Sequence, residues 1–161
     1  MAARTFSSAF KTHLAFFSVG GGGIITLPSA LRASLALGFN FPISCMLGLA
    51  LPLLYGNTGP FKTHVDVRHV SIERPQLQAL GDPGAKASFS RADVLKAAEH
   101  DSWTNWIHVL NLWNIAADPR TGLMSREDVE SAQRGTLMWD VAKRRKGRDD
   151  VLPFLRGGPF S

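Results

Sequence analysis

The chain has 161 residues and a net charge of +5, with 45% hydrophobic and 19% charged residues. This length suits one domain, and the composition excludes both a disordered chain and a highly charged soluble helix bundle. All 13 acidic residues lie at Asp66 or later, and the only fixed charges before Phe61 are Arg4, Lys11 and Arg32. A basic, apolar N-terminal part is typical either of a lipid surface or of the buried half of a fold.

Three other classes are not expected. Nucleic-acid binding is not predicted, because the basic cluster at 143–148 is followed by Asp149 and Asp150, as at a solvated helix end. Cys45 is the only cysteine, so an internal disulfide is excluded. Residues 1–10 lack the apolar core of a signal peptide, so we expect a membrane-associated or otherwise cytoplasmic protein that is not secreted.

The first predicted elements form a helix–loop–helix. Apolar side chains at helical spacing predict a helix over about 5–17, which includes His13. Four consecutive glycines at 20–23 end it, and the β-prone residues 24–26 follow. Pro28 opens a second helix that runs to about Leu37. Two helices around a twelve-residue loop are the outline of an EF-hand.

An apolar, proline-containing segment follows at 33–61. A straight transmembrane helix needs about 20 apolar residues, and Asn40, Pro42 and Pro52 divide this segment into shorter pieces. We therefore predict that it does not cross a bilayer as one straight helix. It either enters one lipid leaflet as a bent or hairpin insertion or forms a kinked core helix.

The remaining elements are a short strand and the C-terminal helices. Alternation at Val65, Val67 and His69 predicts the strand. Ser90 and Asp93 then form a capping box, and apolar residues at three- and four-residue steps predict a helix from about Trp103. That helix ends at 118–119, and a last helix runs from 125 to the basic cluster. The fold class is thus mainly α, with one domain at 1–148 and a flexible tail at 149–161.

Six blocks of sequence carry a family resemblance. Residues 13–17, 23–25 and 37–40 hold a histidine before paired phenylalanines, a loop glycine with isoleucines, and a Gly-Phe-Asn step. Residues 106–113, 122–127 and 135–137 follow in the C-terminal half. In this order the blocks resemble the caleosins, the lipid-droplet-associated EF-hand proteins of plants and fungi. The middle of the chain is shorter than is usual for that family.

The EF-hand pattern argues against calcium at this loop. When Gly23 is placed at the sixth position, the side-chain ligand positions hold no carboxylate, because they fall on Ser18, Gly20, Gly22 and Ser29. We therefore expect a degenerate EF-hand-like loop without calcium and no other metal site.

The resemblance also implies a haem peroxygenase that transfers oxygen from a hydroperoxide to an unsaturated lipid, with two histidines at the haem. The first family histidine matches His13. The second family position falls on Glu73, while His69 matches the histidine that precedes it. This implies His13 and Glu73 as catalytic residues and His13 and His69 as cofactor-binding residues. Either His69 replaces the second ligand or a single histidine suffices.

Three functions remain open. The first is haem-dependent peroxygenase-type oxidation of a hydrophobic small molecule. The second is a haem- and calcium-free isomerase or cyclase recruited to fungal secondary metabolism. The third is a non-enzymatic lipid-droplet or membrane-surface protein anchored by residues 33–61.

Overall fold

The structure is a computed structural model that describes residues 8–18, 20, 22–39, 41–55, 64–70, 77, 80, 86–97, 103–118 and 120–145. Within these residues the fold is mainly α, as predicted. The helices are α1 (Ala9–Phe16), α2 (Leu27–Ala36), α3 (Phe41–Tyr55), α4 (Arg91–Ala97), α5 (Trp103–Ala116), α6 (Arg126–Arg134) and α7 (Leu137–Arg145). The strands are β1 (Ile24–Thr26), β2 (His64–Asp66), β3 (Ser88–Ser90) and β4 (Leu123–Ser125), and a 3₁₀ turn spans Val67–His69.

The strands form two antiparallel ribbons. In the first ribbon β1 pairs with β2, so that Ile25 lies opposite Val65. In the second ribbon β3 pairs with β4, so that Phe89 lies opposite Met124. All four central side chains are buried, because successive residues of a strand point to opposite faces and only the middle one faces the core. The predicted strand near Val65 is confirmed, but the sequence gave no signal for the second ribbon.

Each strand runs directly into a helix that its last residue caps. Thr26 and Ser29 form a reciprocal capping box at the start of α2. The hydroxyl of Ser90 accepts from the amide of Asp93 at α4, and the hydroxyl of Ser125 accepts from the amide of Asp128 at α6. The predicted caps at 90 and 125 are therefore confirmed, and they fix the angle at which each helix leaves its strand.

The last predicted helix is two helices. Gly135 ends α6 in the left-handed conformation, with φ of 82°, and the chain then turns into α7. At this corner the backbone comes very close to α1, since a Cβ atom on Gly135 would lie 2.8 Å from the carbonyl oxygen of Ala9. Glycine is required here both by the backbone conformation and by the close approach. This corner places α1 against α6 and α7.

The apolar segment contains one continuous helix over its described central part. The expectation that prolines divide residues 41–55 is wrong, because α3 runs through both of them. Pro42 lies in the first turn, where a missing amide breaks no helical hydrogen bond, and Pro52 lies near the end. Fifteen residues span only about 22 Å. Among the described residues, every helix falls short of the length and apolarity needed to cross a membrane.

Helix α3 packs closely on α2. The contact is made at Gly48, where a Cβ atom would lie 3.0 Å from Leu27 Cδ1. The α2–α3 pair also contacts the first ribbon. The N-terminal half of the described chain is thus a small unit of two helices and one ribbon, and α1 lies between it and the C-terminal helices.

Candidate functional site

His13 lies inside the protein. Ser8 caps α1 by accepting from the amide of Lys11, and His13 follows Phe10 by one helical turn on the same face. Both side chains are only 1% exposed. The Nε2 atom of His13 is buried and makes no hydrogen bond, although the residue has an interaction of another kind or through another atom. The histidine predicted from the sequence therefore occupies an apolar interior position.

Rings from two other helices surround Phe10. The ring of Tyr55, at the end of α3, lies edge-on with its centroid 5.8 Å from that of Phe10. The ring of His108, from α5, lies edge-on at 5.2 Å. Both are half-buried. We refer to Phe10, His13, Tyr55 and His108 as the aromatic cluster.

Sequence reasoning missed Tyr55 and His108 as members of this site. A usable signal exists for His108, since it lies four residues before Leu112 and seven before Ile115, which are both buried in α5. That spacing places His108 on the inner face of its helix. No comparable signal exists for Tyr55, because the whole of α3 is apolar and all its faces look alike.

His69 lies at the surface. Its side chain is 73% exposed, and its Nδ1 atom lies 3.0 Å from Oδ2 of Asp66. Burial acts to raise the pKa of Asp66, but hydrogen bonds from the Arg68 amide and from His69 outweigh it and lower the pKa below its ordinary value. The turn at 67–69 does contact α1, yet Val67 is its buried residue.

The predicted site residues are therefore not brought together. His13 is buried and His69 is exposed, whereas a porphyrin between two imidazoles needs both to face one cavity. These two residues do not fit that arrangement. His13 alone fits the simpler case of one proximal histidine, as in globins and peroxidases. Glu73 lies outside the described residues.

The loop between α1 and α2 uses its polar side chains internally. The hydroxyl of Ser18 donates to the carbonyl of Ala15 at 2.6 Å and accepts from the amide of Gly23 at 3.0 Å. Gly23 has a φ of 95°, which suits its predicted place at the sixth loop position. Ser29 is bonded to the backbone of Thr26. Among the described residues, no group of three or more potential metal ligands is present.

The second ribbon carries carboxylates that are paired with cations of the chain itself. Asp93 accepts from Lys86 Nζ at 2.8 Å, and this bond is the main reason that the pKa of Asp93 lies far below its ordinary value. Asp128 accepts from both terminal nitrogens of Arg144, at 3.2 and 2.6 Å. These pairs hold the helix starts of α4 and α6 with internal charges.

An exposed apolar row runs along α3. Met46, Leu49 and Leu53 are 62%, 58% and 67% exposed, and they recur at three- and four-residue steps on one side of the helix. Helix α3 contains no charged residue. Large exposed hydrophobic side chains in a contiguous patch mark an interaction surface. We refer to these three residues as the apolar row.

Comparison of the chain with known families, with curated proteins and with solved structures finds no match.

Proposed function

We propose that this chain is a caleosin-like protein that docks on a lipid surface through α3 and acts there on an apolar substrate. The apolar row carries this proposal, because three large side chains are exposed on a helix without charge. Transfer of apolar surface from water into lipid is favourable by about 25 cal/mol per Å². Docking by one face of a short helix also agrees with its length, which is too small for a crossing.

An EF-hand-like frame is part of the proposal. It is supported by the order α1, loop, β1 and α2, by the positive φ of Gly23 and by the cap at Thr26. The same order recurs in α5, loop, β4 and α6, where Gly122 has a φ of 65° and Ser125 is the cap. Pairing of two such loops through short strands completes the frame. Calcium is not part of the proposal, since the first loop has no carboxylate.

Helix α3 connects the proposed docking surface with the aromatic cluster. Leu53 belongs to the apolar row, and Tyr55, two residues later, contacts Phe10. His13 lies one helical turn from Phe10. An apolar substrate that leaves the lipid at the end of α3 therefore meets the aromatic cluster first.

Haem-dependent oxidation is the reaction that we propose first. A bound haem supplies iron that takes an oxygen atom from a hydroperoxide. His13 would hold that iron as a single proximal ligand, and Phe10 and Tyr55 would exclude water and orient the apolar chain. Because His13 is only 1% exposed, a porphyrin reaches it only when the side chains above it separate.

An absorbance spectrum after haem addition tests this reaction. The wild type is expected to show a Soret band that His13→Ala abolishes and His69→Ala retains, and peroxide-dependent oxidation should follow the same order. His69→Ala is the matched control, because His69 is exposed and lies in a separate turn. A colourless wild type after haem addition would rule out the peroxygenase.

The second candidate is the cofactor-free isomerase or cyclase. One observation favours it: Tyr55 and His108 place a phenol and a second imidazole against Phe10, next to His13. Such groups can donate and accept protons at an apolar substrate without a cofactor. This candidate predicts turnover by the colourless protein and loss of turnover in His13→Gln or His108→Gln. Retained turnover in both variants would contradict it.

A further inference from the structure

The first ribbon extends the exposed apolar surface beyond α3. Leu27, at the start of α2, lies against Gly48 of α3, and its side chain is exposed. Ile24 precedes it in β1 and is also exposed, while the next residue, Ile25, is buried. The apolar row therefore continues through Leu27 to the outer face of the first ribbon.

A cation lies at the edge of this surface. Arg68 is exposed, and its Nη2 atom donates to the carbonyl of Gly22 at 3.2 Å, which places the guanidinium beside the residues that precede Ile24. The adjacent carboxylate, Asp66, is already engaged by His69 and by the amide of Arg68. No acidic residue precedes Asp66 in the sequence, so the surroundings are basic.

The second ribbon lacks this arrangement. Its cations Lys86 and Arg144 are bonded to the carboxylates of Asp93 and Asp128. An external anion would have to compete with these internal partners. The first ribbon therefore combines an exposed cation with an exposed apolar surface, and this is the combination that a lipid interface with negative headgroups accepts.

We propose that the outer face of the first ribbon binds the headgroups of anionic phospholipids through Arg68, while the apolar row enters the acyl region. This inference rests on the proposed docking and adds to it a lipid class and an orientation, with the ribbon at headgroup level. One arginine near an anionic surface is expected to change the partition coefficient roughly fivefold.

Vesicle sedimentation tests the inference with two lipid compositions, phosphatidylcholine alone and phosphatidylcholine with phosphatidylserine. The wild type is expected to bind the second more tightly, and added salt should remove the difference. Arg68→Gln should lose roughly fivefold on the anionic vesicles and nothing on the neutral ones. Arg68→Lys keeps the charge and should bind like the wild type.

Two further variants separate this inference from the docking itself. Arg120→Gln removes an exposed arginine near the second ribbon and is expected to change neither partition. The double variant Leu49→Ser, Leu53→Ser should lose binding to both compositions. Equal binding of the wild type to both vesicles, or equal loss in the Arg68 and Arg120 variants, would overturn the inference and leave docking intact. Unchanged binding of the double serine variant, or no binding by the wild type, would overturn both.

Discussion

The first and second ribbons have the same frame and opposite surroundings. Each pairs two three-residue strands, buries the two central side chains and leads into capped helices. Around the first ribbon the helix start of α2 is capped by uncharged hydroxyls and the nearby large side chains face solvent. Around the second ribbon the caps at α4 and α6 are carboxylates, and each is paired with a lysine or an arginine.

This difference indicates a division of roles. The second ribbon satisfies its charges within the chain, so its stability needs no external partner. The first ribbon and α3 leave a large apolar surface in water, which monomeric proteins rarely do without an interaction to make. We infer that the C-terminal half holds the fold and the N-terminal half meets the lipid.

The largest expected effect comes from the centre of the second ribbon. Phe89→Ala removes a buried ring opposite Met124 and should lower the free energy of unfolding by about 3–5 kcal/mol. Ile24→Ala in the first ribbon is the matched control, and its exposed side chain should contribute no more than about 0.5 kcal/mol. Urea unfolding measures both. Equal losses would contradict the assignment of the core to the second ribbon.

Much of this frame could be predicted from the sequence, because caps and long helices have local signals. Ser90 with Asp93, and Ser125 with Asp128, mark helix starts by residue type alone. The second ribbon could not be predicted in the same way. A strand of three residues with one buried side chain has no periodicity, and its partner lies 35 residues away in register. Its pairing is decided by tertiary packing.

The candidate site was predictable only in part. His13 was identified from a family resemblance, and its burial was expected from its spacing with Phe10. The contacts of Phe10 with Tyr55 and His108 join three helices that are far apart in sequence, so no local pattern encodes them. The separation of His69 from His13 likewise depends on which side of the turn at 67–69 faces α1.

The second effect concerns the corner that joins α1 to the C-terminal helices. Gly135→Ala adds a Cβ atom 2.8 Å from the Ala9 carbonyl oxygen at a φ of 82°. The clash and the backbone strain together should cost about 2–4 kcal/mol. Gly122→Ala is the control, since its φ is 65° and nothing lies within 4 Å of the added atom, so only about 1–2 kcal/mol of strain is expected.

Thermal unfolding of the two variants makes this comparison. If Gly135→Ala were no more destabilising than Gly122→Ala, α1 would not be held tightly against the corner. The aromatic cluster would then lack its rigid support on α1.

A smaller effect is expected from the internal cations of the second ribbon. Asp128 has a side chain that is 6% exposed, so Arg144→Gln leaves a nearly buried carboxylate without its main partner. We expect a loss of about 1–3 kcal/mol in the free energy of unfolding. Lys86→Gln should lose less, because both members of that pair are well exposed, and salt should screen the remaining difference. Equal losses at low and high salt would contradict this order.

The smallest effect is a pH dependence that again separates the ribbons. The pKa of Asp93 is lowered first by the hydrogen bond from Lys86 and then by the amide and hydroxyl of Ser90. A carboxylate whose pKa is depressed in the folded state contributes its full stabilisation above the unfolded pKa of about 3.9. That contribution is lost as the pH falls through the folded value.

Asp93→Asn should therefore have a lower Tm than the wild type near neutral pH, and the gap should shrink below about pH 4. Asp66→Asn, at the first ribbon, should show the same sign with a smaller amplitude, because burial acts against its hydrogen bonds. Tm values measured across this range for both variants and the wild type test the comparison directly. A gap at Asp93 that stays constant into acid would mean that its carboxylate does not stabilise the start of α4 by charge. The second ribbon would then depend on Asp128 and Arg144 for its internal electrostatics.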